Sequence, residues 1–237
     1  MDDDVADRLL ALNRAFYDAF ADAFSDSRAQ TEPGFERILG EIGLRSRVLD
    51  LGCGQGRFAM LLPEGCTYVG VDYAAEMLRV AEASTDGSEG AHRRFLAADL
   101  VADPWLDKVG RAAFDWVVLR AVLHHIPSYG HRKAVVRRAA QALAPHGTLV
   151  LANWQFIKIP RLMRRVVPWR EIGLTRDDVD PGDYLLDWQR DGHGMRYVHL
   201  VGESETRQLA QDAGLRIDDL FFADGHTNDL TLYALLR

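Results

Sequence analysis

Residues 48–57 read V-L-D-L-G-C-G-Q-G-R and indicate the fold of the whole chain. An apolar run interrupted by Asp50 leads into glycines at three alternate positions, which are Gly52, Gly54 and Gly56. Glycine tolerates positive φ angles and lets the backbone approach a ligand without a Cβ atom in the way. A glycine-rich turn between a buried strand and a helix is typical of a nucleotide site at the carboxyl edge of a parallel sheet. We therefore expect a strand at 47–51 and a helix at 57–62.

The spacing of these glycines bears on the ligand. It is G-x-G-x-G, whereas pyrophosphate-binding turns read G-x-G-x-x-G. Asp50 precedes the glycines, where its negative charge would repel a phosphate, and Cys53 contributes a small side chain inside the turn. The turn therefore favours a positively charged nucleoside such as S-adenosylmethionine over a nicotinamide dinucleotide. It resembles motif I of the class I methyltransferases.

Strand and helix patterns alternate through the centre of the chain. Further strands are predicted at 67–71, 93–97, 114–119 and 148–152, with helices at 74–83 and 128–143. Such alternation predicts an α/β fold with a mostly parallel sheet and helices on both faces. The last two strands, 215–222 and 230–236, are joined by a link that suits only an antiparallel hairpin. We predict a Rossmann-like, doubly wound, seven-stranded sheet whose last strand is antiparallel.

Residues 1–237 are predicted to form a single domain with two additions to this sheet. Apolar residues recur at helical spacing over 5–24, and a second helix is predicted at 32–42, so residues 1–44 form an N-terminal helical extension. A segment with three prolines and charges of both signs breaks the alternation after the fifth strand. Residues 154–202 are therefore expected to form a lid-like insertion over the edge of the sheet.

Composition sets outer limits on the function. Hydrophobic residues make up 48% of the 237, which suffices for a core, and no apolar run is long enough for a membrane span. The acidic start of the chain lacks the pattern of a signal peptide. Two cysteines, Cys53 and Cys66, are too few for a disulfide framework and complete no zinc pattern with histidine. We expect a cytoplasmic protein without a metal.

Charge is distributed unevenly along the chain. Residues 116–170 hold ten of the 28 Lys and Arg residues and no Asp or Glu, which leaves 18 basic residues against all 35 acidic residues elsewhere. Such an asymmetry fits an anionic partner that meets one region. It equally fits two solvated helix faces that happen to be basic, so both interpretations stay open.

Further residues complete the candidate cofactor site. Asp72 ends the second strand twenty residues after Gly52, where an acid can accept hydrogen bonds from both ribose hydroxyls. The methyltransferase pattern implies that the acid after the third strand, Asp99, meets the adenine amino group. The full predicted cofactor set is Asp50, Gly52, Cys53, Gly54, Gly56, Asp72, Tyr73, Ala98, Asp99, Leu100, Arg120 and Ala121.

Three short segments resemble a narrower family. They read F-Y-D-A-F-A-D-A-F-S-D-S-R at 16–28, A-V-L-H-H-I-P at 121–127 and R-Y-V-H-L at 196–200. In this order they look like the methyltransferases that esterify the carboxymethyl group on the wobble uridine of tRNA. The resemblance implies tRNA as a partner, a possible small helper protein, and six substrate or active-site positions, which are Arg28, His124, His125, Trp154, Arg196 and His199.

Methyl-transfer chemistry also favours a carboxylate acceptor. A carboxylate is ionised at neutral pH and needs no general base, but it needs a cation to orient it. Arg28 and Arg196 suit that task, while His124 or His125 could hydrogen-bond the acceptor, and we expect one of the two histidines to be structural. The alternatives are a small-molecule O- or N-methyltransferase with a small anionic acceptor, a non-catalytic regulator that binds S-adenosylmethionine, and a dehydrogenase. Nothing in the sequence indicates the oligomeric state.

Overall fold

In the computed structural model, the described residues are 1–25, 32–85, 92–189 and 192–237, with side chains described outside 21–25. The helices are α1 (Asp3–Ser25), α2 (Pro33–Glu41), α3 (Ala75–Thr85), α4 (Trp105–Val109), α5 (Tyr129–Ala142), α6 (Pro160–Met163) and α7 (Glu203–Asp212). The strands are β1 (Arg47–Leu51), β2 (Thr67–Asp72), β3 (Arg93–Ala97), β4 (Phe114–Arg120), β5 (Leu143–Trp154), β6 (Val166–Val167), β7 (Asp183–Trp188), β8 (Gly194–His199), β9 (Ile217–Ala223) and β10 (Thr231–Leu236).

Seven strands form the main sheet in the order β3-β2-β1-β4-β5-β10-β9. All neighbours in this sheet are parallel except β10, which runs antiparallel to both β5 and β9. The predicted Rossmann-like sheet with an antiparallel last strand is therefore confirmed. The chain reverses its direction of travel across the sheet between β1 and β4, and ligands bind at the carboxyl ends of the strands on either side of such a switch.

Apolar side chains alternate between the two faces of this sheet. Val48 of β1 faces the cluster that contains Phe35 of α2, whereas Leu49 faces the cluster that contains Trp105 and Val135 of α4 and α5. A strand sends successive side chains to opposite faces, so both faces must be covered. Because both faces of the sheet are covered, its carboxyl edge is the place where a ligand can bind.

Two predicted elements differ from the structure in kind or by several residues. The helix expected at 57–62 is a single 3₁₀ turn, Ala59–Leu61. Pro63 follows, and the residue before a proline avoids the helical region, so the turn cannot be extended. Strand β5 begins at Leu143 rather than at 148, because a register shift against β4 accommodates the predicted turn at 145–147.

The N-terminal helix and the insertion pack together over the carboxyl edge, and we call α1 with the sheet β6-β7-β8 the cap. Leu9 of α1 is fully buried against Leu185 of β7 and Tyr197 of β8. Asn13 fastens the contact, because its Oδ1 accepts from the backbone N of Tyr197 at 2.8 Å and its Nδ2 donates to the Tyr197 carbonyl at 3.1 Å. The extension and the lid-like segment, separated by most of the sequence, thus act as one covering layer.

Among the described helices, none combines the length and the apolar character that crossing a membrane requires.

Candidate active site

The turn after β1 has a backbone that only glycine adopts easily. Gly52, Gly54 and Gly56 have φ angles of 79°, 53° and 69°. A Cβ atom on Gly52 would lie 2.4 Å from Cγ2 of Val122, and one on Gly56 would lie 2.9 Å from Cβ of Ala81. Both separations are shorter than van der Waals contact. The alternate glycines therefore let the turn fit closely between the end of β4 and helix α3.

Asp72 holds this turn in place. Its Oδ2 accepts a hydrogen bond of 2.8 Å from the Gly54 backbone N, and its Oδ1 accepts one of 3.0 Å from the Ala74 backbone N. Burial raises the pKa of the Asp72 carboxyl, although these two bonds act in the opposite direction. The acid at the end of β2 thus fixes the glycine turn and borders the same cleft.

Asp50 forms the floor of the site. It is 5% exposed, and its Oδ2 accepts a 2.7 Å hydrogen bond from the Tyr68 hydroxyl. Burial raises the pKa of Asp50 to about 6, although the Tyr68 bond and the charge of Arg120 lower it. Arg120 is itself ion-paired with Glu32 at 2.9 Å. The floor therefore carries a carboxylate that loses its charge in mildly acidic solution.

A cleft of about 230 Å³ opens above these residues. Ten of the twelve predicted cofactor residues line it, which are Asp50, Gly52, Cys53, Gly54, Asp72, Tyr73, Asp99, Leu100, Arg120 and Ala121. The other two do not. Gly56 packs toward Ala81, and Ala98 is buried in the core cluster on one face of the sheet. Their small size serves the packing of the cleft wall rather than its surface.

Helix α1 closes the other side of the cleft with Leu10, Asn13, Arg14 and Tyr17. Arg14 forms an ion pair with Asp99, whose other oxygen accepts from the backbone N of Val101 at 2.7 Å. The sequence signal for these residues is weak. Leu10, Arg14 and Tyr17 share one helix face at spacings of four and three, but that face is only partly apolar.

A polar group lies where the cleft meets the cap. The Tyr17 hydroxyl shares a 2.7 Å hydrogen bond with Nε2 of His125, and Nη1 of Arg196 donates to the same hydroxyl at 3.4 Å. His125 follows the end of β4. Ala121, the first residue after β4, has a positive φ of 58°. Tyr17 thus contacts both His125, which lines the cleft as Tyr17 does, and Arg196, which like Trp154 lies behind the cleft wall.

Aromatic rings surround the guanidinium of Arg196. Its Cζ lies 5.5 Å from the ring centre of Phe16, 5.4 Å from that of Trp154 and 5.7 Å from that of Trp188. Cation–π contacts of this kind stabilise a cation and limit its movement. Trp154, at the end of β5, is therefore part of the wall around Arg196, and Arg196 is 6% exposed.

His124 occupies a second row behind His125. It is 1% exposed, its ring centre lies 4.1 Å from that of His125 and 5.9 Å from that of Trp154, and it does not line the cleft. The two neighbours thus separate as expected, with His125 at the cleft and His124 in the packing. His124 therefore lies behind the cleft wall, as Arg196 and Trp154 do, and its predicted active-site role stays a prediction.

His199 does not line the cleft, and its predicted active-site role stays a prediction. Its Nδ1 lies 2.5 Å from Oδ1 of Asp183 and its Nε2 lies 2.7 Å from Oε2 of Glu205. Arg132, 1% exposed, adds a 2.6 Å contact with Glu205 and donates to the Ile126 carbonyl. Burial alone would lower the pKa of His199, but the bonds to Asp183 and Glu205 outweigh it and raise that pKa. Since β strands alternate sides, no simple rule places Arg196 and His199 of β8 in the same pocket.

Arg28, the sixth predicted position, lies outside the described residues.

Comparison with known proteins now decides the family. The sequence profile of a family described as a methyltransferase domain matches residues 23–220. The chain belongs to this methyltransferase family. As a methyltransferase of this fold it uses S-adenosylmethionine as cofactor, in agreement with the cleft. Asp72 and Asp99 offer carboxylate acceptors for the hydroxyl and amino groups of a nucleoside, and Met77, Leu100 and Val101 add apolar surface.

Relatives of this methyltransferase include proteins that act on tRNA. It is 30% identical over 224 residues to a candidate methyltransferase of Encephalitozoon cuniculi, covering 94% of this chain and 93% of that one. It is 25% identical over 223 residues to the tRNA (carboxymethyluridine(34)-5-O)-methyltransferase of Schizosaccharomyces pombe, covering 84% and 86%. An enzyme of the same name from Arabidopsis thaliana is 30% identical over 138 residues, which are 58% of this chain and 31% of that protein.

Solved structures share the fold. An S-adenosylmethionine-dependent methyltransferase from Clostridium acetobutylicum superimposes with a TM-score of 0.65 at 16% identity, covering 93% of this chain and 98% of the other.

Proposed function

We propose that this methyltransferase transfers a methyl group to a carboxylate oxygen on a modified wobble uridine of tRNA. One observation carries the choice of acceptor. The Tyr17 hydroxyl contacts Nε2 of His125 and Nη1 of Arg196, so a hydroxyl, an imidazole and a guanidinium lie together where the cleft meets the cap. These groups can all donate hydrogen bonds, and a carboxylate is the common acceptor that uses such a set.

The cofactor supplies a methyl group already activated on its sulfonium, so the protein has to orient the acceptor and exclude water. Arg196 has the planar fork of donors that matches a carboxylate, and its aromatic surroundings hold that fork in one direction. Tyr17 and His125 complete the positioning from the side of the cleft. No general base is required, since a carboxylate is ionised at neutral pH.

The residues at the other end of the cleft are assigned to the cofactor. In this proposal Asp72 accepts hydrogen bonds from the ribose hydroxyls. Asp99 accepts a hydrogen bond from the adenine amino group, either in place of its ion pair with Arg14 or in addition to it. The glycine turn approaches with its backbone alone. Asp50 contributes a negative charge below a ligand that carries a positive one. Two relatives named for carboxymethyluridine 34 of tRNA support the acceptor molecule.

The test is methylation of total tRNA by the purified protein with radiolabelled S-adenosylmethionine. A methyl ester releases its label as methanol in mild alkali, whereas methyl groups on nitrogen or on an ether oxygen stay with the RNA. We expect alkali-labile label in the tRNA. Alkali-stable label would refute the carboxylate, and label found only in small anionic metabolites would refute the tRNA.

The clamp is tested by Arg196→Lys, which keeps the charge but removes the fork. Loss of one charge-assisted hydrogen bond should lower kcat/KM about ten- to a hundred-fold. Affinity for S-adenosylmethionine, measured by calorimetry, should not change. Arg207→Lys is the matched control, because Arg207 is exposed on α7 and pairs with Glu203. Equal activity of both variants would contradict the clamp.

A further inference from the structure

Residues 116–170 contain ten basic side chains and no acidic one. The structure shows which of these ten already form ion pairs or hydrogen bonds within the protein. Arg120, Arg132, Lys133 and Lys158 form ion pairs with Glu32, Glu205, Asp212 and Asp229. Arg138 donates to the carbonyls of Leu100 and Val101, and Arg170 lies 3.9 Å from Glu171. Six of the ten are therefore accounted for within the protein.

The remaining four divide into one isolated residue and one group. Arg137 is exposed on α5. Arg161, Arg164 and Arg165 are also exposed, lie within five residues of one another, and make no ion pair or side-chain hydrogen bond with any described residue. We call these three the arginine cluster. Arginine side chains with exposed heads and no acidic neighbour carry the attraction for an external anion that a paired arginine lacks.

The backbone under the arginine cluster is held by packing. Leu162, between the arginines, is buried with Phe156 in a cluster that includes Leu186 of β7 and Val198 of β8. The Arg165 carbonyl accepts a 2.8 Å hydrogen bond from the backbone N of Asp187. Leu162 thus points into the protein, whereas Arg161 at the start of α6 and Arg164 and Arg165 in the turn after it are exposed.

The arginine cluster also stands on the edge of the sheet that holds the active site. It follows β5, whose last residue, Trp154, contacts the guanidinium of Arg196. The intervening residues form one 3₁₀ turn, Phe156–Lys158. The arginine cluster therefore follows closely in the chain on a residue that contacts Arg196, at the same edge of the sheet.

We propose that the arginine cluster binds phosphates of the RNA strand next to the methylated nucleotide. This inference rests on the proposed function and adds to it the part of the protein surface on which the RNA lies. Arginine binds phosphate bidentately, and three fixed arginines on a protein of net charge −7 would localise a polyanion on this one edge. An anionic membrane is the other polyanion to consider, but a helix of four residues has no apolar face long enough to lie in a bilayer surface.

The test compares R161A/R164A/R165A with a control of equal charge, R45A/R111A/R137A. Arg45 and Arg111 are exposed. They precede β1 and β4 in the chain and therefore lie at the opposite edge of the sheet, where these strands begin. Binding of total tRNA is measured by filter retention at several salt concentrations. Each phosphate contact contributes about 0.7–0.9 to the slope of log K against log salt, so three lost contacts should reduce it by about 2–3 and weaken binding at about 50 mM salt by at least ten-fold.

The outcomes separate this inference from the function beneath it. Equal tRNA binding by both triple variants, while the wild-type protein methylates tRNA, would refute phosphate binding by the arginine cluster but not the proposed function. A wild-type protein that neither binds nor methylates tRNA would overturn both. Binding to vesicles of phosphatidylcholine and phosphatidylglycerol that is lost only in R161A/R164A/R165A, with tRNA binding unchanged, would assign the surface to a membrane instead. Calorimetry with S-adenosylmethionine should give the same affinity for all three proteins and shows that each is folded.

Discussion

Replacing Gly52 with alanine should damage the site through one identifiable overlap. The new Cβ would lie 2.4 Å from Cγ2 of Val122 at a φ of 79°. The turn cannot shift away easily, because the backbone N atoms of Gly52 and Cys53 both donate to the Val71 carbonyl, at 2.7 and 3.1 Å. Val122 is β-branched and has little rotational freedom.

The expected loss follows from two contributions. Holding alanine in the left-handed region costs about 1–2 kcal/mol. Overpacking a well-filled contact costs about 1–3 kcal/mol more. Gly52→Ala should therefore lower the free energy of unfolding by about 2–5 kcal/mol, a large part of the stability of a typical domain. Affinity for S-adenosylmethionine should fall as well, since Gly52 and Val122 both line the cleft.

Urea unfolding of Gly52→Ala, Val122→Ala and the double variant separates the two contributions. Removing the Val122 methyl groups should restore about 1–3 kcal/mol in the double-mutant cycle. Gly214→Ala is the control for backbone strain, because Gly214 has a φ of 72° and no atom lies within 4 Å of the place that an alanine Cβ would take there. If Gly52→Ala is no less stable than Gly214→Ala, or if the cycle shows no coupling, the overlap is not the cause.

Three further changes test the electrostatics of the site and the cap. Burial raises the pKa of Asp50 from 3.8 to about 6, so its ionisation opposes folding as the pH rises through this window. In urea unfolding, the free energy of unfolding of Asp50→Asn should exceed that of wild type by up to about 3 kcal/mol at about pH 8 but not at about pH 4. A pH-independent difference would contradict this. The pKa of His199 is raised above 6.5, so its bonds to Asp183 and Glu205 stabilise the fold fully below that pH and less as the pH rises through the raised value; His199→Gln should cost about 3–5 kcal/mol near pH 6 and progressively less in urea unfolding at rising pH. Tyr17→Phe should lower kcat/KM about two- to ten-fold, the value of one or two hydrogen bonds, while calorimetry shows unchanged cofactor affinity, and full activity would remove Tyr17 from the site.

The parts of this fold that were predictable from sequence depend on neighbours along the chain. β1 and β3 were predicted with the observed bounds, since each is a short segment with apolar residues that ends where a turn begins. The predicted helix after the glycines failed for an equally local reason, the proline at position 63. The cap sheet was not predicted, because β6 has only two residues and fifteen residues separate it from β7, so the strands lack the regular spacing of the main sheet.

Two histidines illustrate what local sequence leaves open. His125 ends a 3₁₀ turn after β4 and His199 ends β8, and both belong to segments that resemble one family. One lies at the cleft beside Tyr17, whereas the other is enclosed by Asp183 and Glu205. Residue type and spacing are the same kind of signal in the two cases. The elements that pack around each ring make the difference.

By itself, the sequence determined the cofactor end of this protein. Alternate glycines, the acid before them and the acids after the next two strands act through backbone angles and strand ends, which depend on residues close in the chain. Only the tertiary structure brought together the residues that we assign to the acceptor, where Tyr17 meets Arg196 across 179 positions of sequence. That meeting requires α1 to dock on β8, and docking depends on the complementary packing of two distant segments, which no periodicity within either segment encodes.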